Sequence, residues 1–124
     1  MDEPKPFGVD EKCRLIVEAL KEKKGHRITT IDLRETGTSV CDAFVICHGE
    51  STTQVGALAE SVEKELRNKA KIRPHHVEGT QNKQWILLDY FDVLVHVFLE
   101  DFRSFFKLEE LWADGKVTRV TEKS

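Results

Sequence analysis

Apolar residues in this chain follow two rhythms, and the switches between them mark out its elements. Near the N-terminus Val9, Cys13, Ile16 and Leu20 recur every three to four residues, with Leu15 and Ala19 beside them. That spacing puts one face of an α-helix into a core. With Asp10 as N-cap and Gly25 as terminator, it predicts a helix over 10–24. The rhythm then changes: Ile28-Thr29-Thr30-Ile31-Asp32-Leu33 is rich in β-branched residues and predicts a strand, and Glu35 to Ser39 reads as a loop. Ala43-Phe44-Val45-Ile46-Cys47 is an unbroken apolar run, the mark of a central strand covered on both faces. It stops at Gly49, just before Ser51-Thr52-Thr53-Gln54, a capping-box pattern that opens a second helix. Val55, Leu58, Ala59, Val62 and Leu66 form the apolar stripe of that helix to about Lys71, and Glu60, Glu63, Lys64, Glu65 and Arg67 form its solvated face.

Past Pro74, a short strand through His76-Val77-Glu78 and a loop Gly79-Thr80-Gln81-Asn82 lead into two further strand segments, Trp85 to Asp89 and Asp92 to Leu99. With Tyr90 and Phe91 as a two-residue loop they form a hairpin in which Asp89 faces Asp92, Leu87 faces Leu94 and Trp85 faces His96. Ile86, Leu88, Val93, Val95, Val97 and Leu99 then share an aliphatic core face. The other face carries Trp85, Leu87, Asp89, Asp92, Leu94, His96 and Phe98, a mixture typical of interfaces. A short helix from Asp101 through Phe106, an amphipathic turn Leu108-Glu109-Glu110-Leu111-Trp112 and a polar, mobile tail complete the reading.

Composition narrows the class. The 124 residues suffice for a single domain, and 40% hydrophobic with 33% charged residues describes a globular protein. No apolar run approaches the roughly 20 residues of a membrane-spanning helix. The polar, acidic Met1-Asp2-Glu3-Pro4-Lys5-Pro6 resembles neither a secretory signal nor a transit segment, which predicts a cytoplasmic protein. Cys13, Cys41 and Cys47 lack C-x-x-C spacing and read as buried free thiols. The net charge is −3, but between Trp85 and Gly115 seven acids stand against Arg103 and Lys107, so this stretch is −5 and the remainder +2. Such an acidic third suits a basic protein partner; DNA is not expected, and direct RNA contact is at most secondary.

The tempting catalytic constellations are weak. A nucleotidyltransferase wants a Gly-Ser junction followed by paired carboxylates that hold Mg²⁺. Gly49-Glu50-Ser51 puts a negative charge where a triphosphate would approach, and Asp89 and Asp92 read as turn residues. His75-His76 with Glu78 lacks a completing ligand, and Cys47-His48 with Asp42 resembles a nucleophile triad only in composition. No enzyme activity, metal or cofactor is therefore expected. His96 interrupts an aliphatic strand, either as a hydrogen-bonded histidine on a half-covered face or as a contact residue. Trp85 either shields the outer sheet face or anchors a partner. Phe102, Phe105, Phe106 and Trp112 read as packing the C-terminal helix on the sheet.

The run Trp85-Ile86-Leu87-Leu88-Asp89-Tyr90-Phe91-Asp92-Val93-Leu94-Val95-His96-Val97-Phe98 resembles the signature hairpin of the ribosomal silencing factor (Iojap-like) family. Asp42 to Thr52 resembles that family's strand-to-helix junction, Val77-Glu78-Gly79 its next landmark and Leu108-Glu109-Glu110-Leu111-Trp112 its C-terminal motif, all in the right order. The resemblance covers residues 10–114, leaving 1–9 and 115–124 as tails. It departs at Phe91, where the family commonly has glycine. It implies an α+β domain with a mixed sheet of about five strands flanked by helices, similar to a nucleotidyltransferase fold without its catalytic residues. It further implies binding to ribosomal protein fourteen of the large ribosomal subunit, which blocks joining of the small subunit and dampens translation under nutrient limitation. Related organelle members assist large-subunit assembly, and many members are homodimers when free. The expected partner-binding set is Trp85, Leu87, Asp89, Asp92, Leu94, His96, Phe98, Asp101 and Arg103.

Overall fold

The apolar run at Ala43 forms the strand around which the sheet is organised. In a computed structural model, which describes residues 8–37 and 41–120, every residue of this strand, β2 (Ala43–Gly49), is buried. It pairs antiparallel with β1 (His26–Asp32) on one side and parallel with β5 (Val93–Leu99) on the other. The parallel partner requires a crossover, supplied by α2 (Thr52–Ala70), β3 (His76–Glu78) and β4 (Trp85–Asp89). The mixed sheet has six strands in the order β3-β4-β5-β2-β1-β6, where sequence predicts about five.

Helix α1 (Val9–Glu22) and α2 cover one face of the sheet. Leu15, Ile16, Ala19 and Leu20 of α1 and Val55, Leu58, Val62 and Leu66 of α2 pack there against Val45, Cys47, Val95 and Val97. Gly8, not Asp10, is the N-cap of α1; Asp10 lies in the first turn, 3.0 Å from Arg34. The second helix opens as the pattern predicts, with Gln54 N–H donating to Ser51 Oγ at 3.1 Å and Glu50 N–H donating to Gln54 Oε1 at 2.8 Å. Two short helices, α3 (Glu100–Phe106) and α4 (Leu108–Leu111), lie over the opposite face. There Phe44, Ile46, Phe98 and Leu108 form a second core with Phe102 and Trp112 packed against it.

The hairpin keeps the predicted faces but not the predicted register. Leu87 pairs with His96 and Trp85 with Phe98, so the partners are displaced by two residues and the paired side chains keep their faces; only Asp92, now in the loop, leaves the outer one. Tyr90 is the cause. Following Ile86 and Leu88 on the core face, it is 1% exposed, and its N–H donates to Val93 O at 2.9 Å, which continues the ladder by one pair. The loop is therefore Phe91-Asp92, with Phe91 at φ 71° and Asp92 N–H closing a three-residue turn onto Tyr90 O.

The sixth strand, β6 (Lys116–Arg119), lies within the segment read as a tail and pairs antiparallel with β1. Gly115 admits it, since a Cβ at this position would stand 2.6 Å from Ile31 Cγ2 and 2.9 Å from Asp32 O. Thr38 and Ser39 of the predicted loop lie outside the described residues, as do 1–7 and 121–124.

The two faces of β4 and β5 should respond differently to charge. Val95 is fully buried between two helices and two strands, so Val95→Asp should abolish cooperative thermal melting, because an unpaired buried carboxylate costs several kcal/mol against a total of about 5–15. Leu87→Asp, on the half-buried outer face, should still melt cooperatively. The reverse result would place the faces the other way round.

Candidate functional site

Outer-face residues of β4 and β5 form a graded surface, buried at one edge and open at the other. Trp85, Leu87, Asp89 and Leu94 are half-buried, whereas His96 and Phe98 are buried beneath α3 and α4. Trp85 Nε1–H donates to His96 Nδ1 at 3.1 Å. Nδ1 is thus an acceptor, so the ring proton of the neutral imidazole resides on Nε2. That Nε2 is buried without a hydrogen-bond partner among the described residues. Burial pushes the imidazole down from the usual 6.5 to about 4. The hydrogen-bonded reading of His96 therefore holds in the folded chain.

From Trp85 the aromatic contacts run outward. Its ring lies 5.0 Å from Phe106, and Phe105 meets Phe106 edge-on at 5.0 Å, while on the buried side Trp85 lies 4.8 Å from Phe98. Inward, His96 meets Phe44 at 4.9 Å and Phe44 meets Trp112 at 5.3 Å, both edge-to-face. The series begins in the second core and ends in solvent at Phe105, which is 77% exposed; Leu111 of α4 is separately exposed, at 74%. Phe102 and Trp112 pack on the sheet as the sequence suggests, but Phe105 does not.

Arg103 takes the opposite course. Expected at a partner surface, it is 4% exposed and turned inward. Its Nη1 donates to His26 O at 3.2 Å and to His48 Nδ1 at 3.0 Å, and its Nη2 donates to Thr29 Oγ1 at 3.2 Å. Nη2 and Nε hold Glu109 Oε2 at 2.6 and 3.2 Å. Burial opposes ionisation of Glu109, but the hydrogen bond and charge of Arg103 outweigh it and keep the carboxyl below its usual range. The guanidinium fork thus ties α3 and α4 to β1 and β2. Asp92 is also displaced from the outer face: its carboxylate meets Lys12 of α1 at 2.7 Å and its carbonyl accepts from Asp42 and Ala43 N–H. Asp89 caps the hairpin loop, accepting from Phe91 N–H at 2.8 Å. Asp101 is exposed on α3, alongside Glu100.

The catalytic look-alikes have structural roles. Ser51 and Glu50 serve the capping box of α2, and Glu50 also meets His26 at 3.0 Å. Burial pushes the Cys47 thiol up to about 12, far from the range of a nucleophile. His76 pairs with Glu78 at 3.1 Å, and among the described residues no three His, Cys, Asp or Glu side chains are placed to hold a metal ion.

His96 should shape stability against pH. The folded chain resists protonating it, so below about 6.5 the unfolded chain takes up a proton that the folded chain does not, and stability declines until both are protonated below about 4. Urea unfolding at stepped pH should show a loss approaching about 3 kcal/mol across this window. His96→Phe should flatten that part of the profile; an unaltered decline would assign the titration to another group.

The family model "Ribosomal silencing factor during starvation" matches residues 6–124. A ribosomal silencing factor of Halalkalibacterium halodurans is 36% identical over 110 residues, covering 89% of this chain and 92% of the relative. The mouse protein named "Mitochondrial assembly of ribosomal large subunit protein 1" is 27% identical over 112 residues, covering 86% of this chain and 45% of that protein. A crystal structure of a Chromobacterium violaceum protein superposes with a TM-score of 0.81 at 32% identity, covering 95% of this chain and 98% of the other. Helices on both faces of a mixed sheet, the Trp85–His96 hairpin and a match along nearly the whole sequence agree with one another, and the chain belongs to the ribosomal silencing factor family.

Proposed function

We propose that this chain docks on the large ribosomal subunit through ribosomal protein fourteen, where the small subunit must approach, and so blocks subunit joining and represses translation under nutrient limitation. It acts in the cytoplasm by steric exclusion, without catalysis. The observation that carries this reading is the aromatic series ending in exposed Phe105, with Leu111 exposed on the next helix, on helices that also present Glu100, Asp101 and Glu110 to solvent. Large apolar side chains held out by a rigid scaffold and accompanied by acids suit a basic protein surface. Of the expected contact set, Trp85, Leu87, Asp89, Leu94 and Asp101 retain accessible surface on this side, and Phe105, Phe106 and Leu111 join them. When the chain is free, a second copy covers the same apolar face. The name of the mouse relative favours a second reading, assistance in assembly of the large subunit, which the same docking would serve.

Co-sedimentation with separated ribosomal subunits tests the docking. The chain should pellet with the large subunit and with neither the small subunit nor assembled ribosomes; pelleting with the small subunit alone would overturn the proposal. Phe105→Ala combined with Leu111→Ala should leave the melting temperature unchanged, because both side chains are exposed, yet weaken large-subunit binding by roughly 2 kcal/mol or more. Rising salt should slow association only modestly, since rim charges act within a Debye length of about 8 Å at physiological ionic strength.

A further inference from the structure

A second surface lies at the other end of the β4–β5 hairpin, around its loop. From Arg67 to His76 the chain carries Arg67, Lys69, Lys71 and Arg73 and no acid, and these four cations are exposed. Glu65 holds Lys69 at 2.7 Å, but Arg67, Lys71 and Arg73 have no ion-pair partner among the described residues. Lys71 closes α2 at φ 58°, and Ile72 N–H donates to Leu66 O at 3.2 Å, which turns the basic segment around the helix end. His75 N–H then donates to Asp89 O at 2.7 Å and docks the segment on the hairpin. There the His75 ring lies 4.3 Å from that of Phe91, with the planes inclined by 35°.

Phe91 has no folding role that accounts for it. It stands at φ 71°, where a bulky side chain is strained, and it is 70% exposed, so it gains little from burial. The acids beside it are engaged: Asp92 with Lys12, and Asp89 with the Phe91 N–H. Unpartnered cations next to exposed flat rings are the combination that holds unpaired nucleic acid, the cations taking phosphates and the rings stacking on bases. We propose that Arg67, Lys71 and Arg73, with the His75–Phe91 ring pair, form a binding site for unpaired RNA. Duplex RNA does not fit this chemistry, because its bases are already stacked within the helix. The site goes beyond the docking reading above and stands without it.

Fluorescence anisotropy of the full chain with a labelled single-stranded oligoadenylate of about a dozen nucleotides tests the site. Saturable binding is expected, with log affinity falling against log salt at a slope of about −2, as three phosphate contacts to a single strand give. Arg73→Gln should shallow that slope by about 0.7. Phe91→Gly, which suits the backbone, should weaken binding about tenfold while leaving the slope unchanged and not lowering the melting temperature. Absence of saturable binding, equal binding of a duplex, or indifference to Phe91→Gly would each overturn the proposal. Because no ribosome is present, a failure here is distinct from a failure of large-subunit docking.

Discussion

Burial of β2 on both faces is the constraint from which the rest of the architecture follows. Ala43, Val45 and Cys47 point into one core and Phe44 and Ile46 into the other, so neither side of the sheet centre can be left to water. Two long amphipathic helices satisfy the first requirement. The second falls to a short segment, α3 and α4, whose few apolar side chains cannot cover the whole face. Arg103 compensates by fastening that segment through charge-assisted hydrogen bonds to backbone, hydroxyl, imidazole and carboxylate groups. What stays only half-covered is the strip along Trp85, Leu87 and Leu94.

Elements whose identity rests on periodicity were legible in the sequence. Both long helices, the buried strand and the two hairpin faces follow from spacing alone, because each is enforced by a large apolar area, and the capping box follows from its residue types. The features that escaped depend on single residues acting against their type. Arg103 sits in an amphipathic segment where a cation is normally solvated, and no one-dimensional pattern signals that four partners await it inside. Conversely, Phe105 reads as core because it is aromatic, yet Phe102 and Arg103 occupy the inward side of the same short helix. The hairpin register turned on Tyr90, which continues the core alternation but can equally be read as a loop residue. An edge strand such as Lys116-Val117-Thr118-Arg119 buries one side chain in part and leaves almost no apolar trace.

The two proposed surfaces differ in kind. Around Trp85 the contact atoms belong to an aromatic series rooted in the core, so its outer members are held in place by packing. Around Phe91 they stand on a strained loop and a helix end, held by backbone hydrogen bonds, the Asp89 carboxylate and one ring contact. The first geometry favours a rigid protein surface, and the second favours a chain that adapts to it.

The pairing of β6 with β1 has a practical consequence for anyone who handles this domain. Cutting the chain after Asp114, where composition turns polar, would strip the outer neighbour from Thr29-Thr30-Ile31-Asp32. A β-branched strand would then present a row of unpaired amide and carbonyl groups to its surroundings, the arrangement that seeds edge-to-edge aggregation. Lys116 to Arg119 thus act as a hem on the sheet, and a shortened protein would be prone to precipitate even though it had lost only Val117 and Val120 from the margins of its two cores.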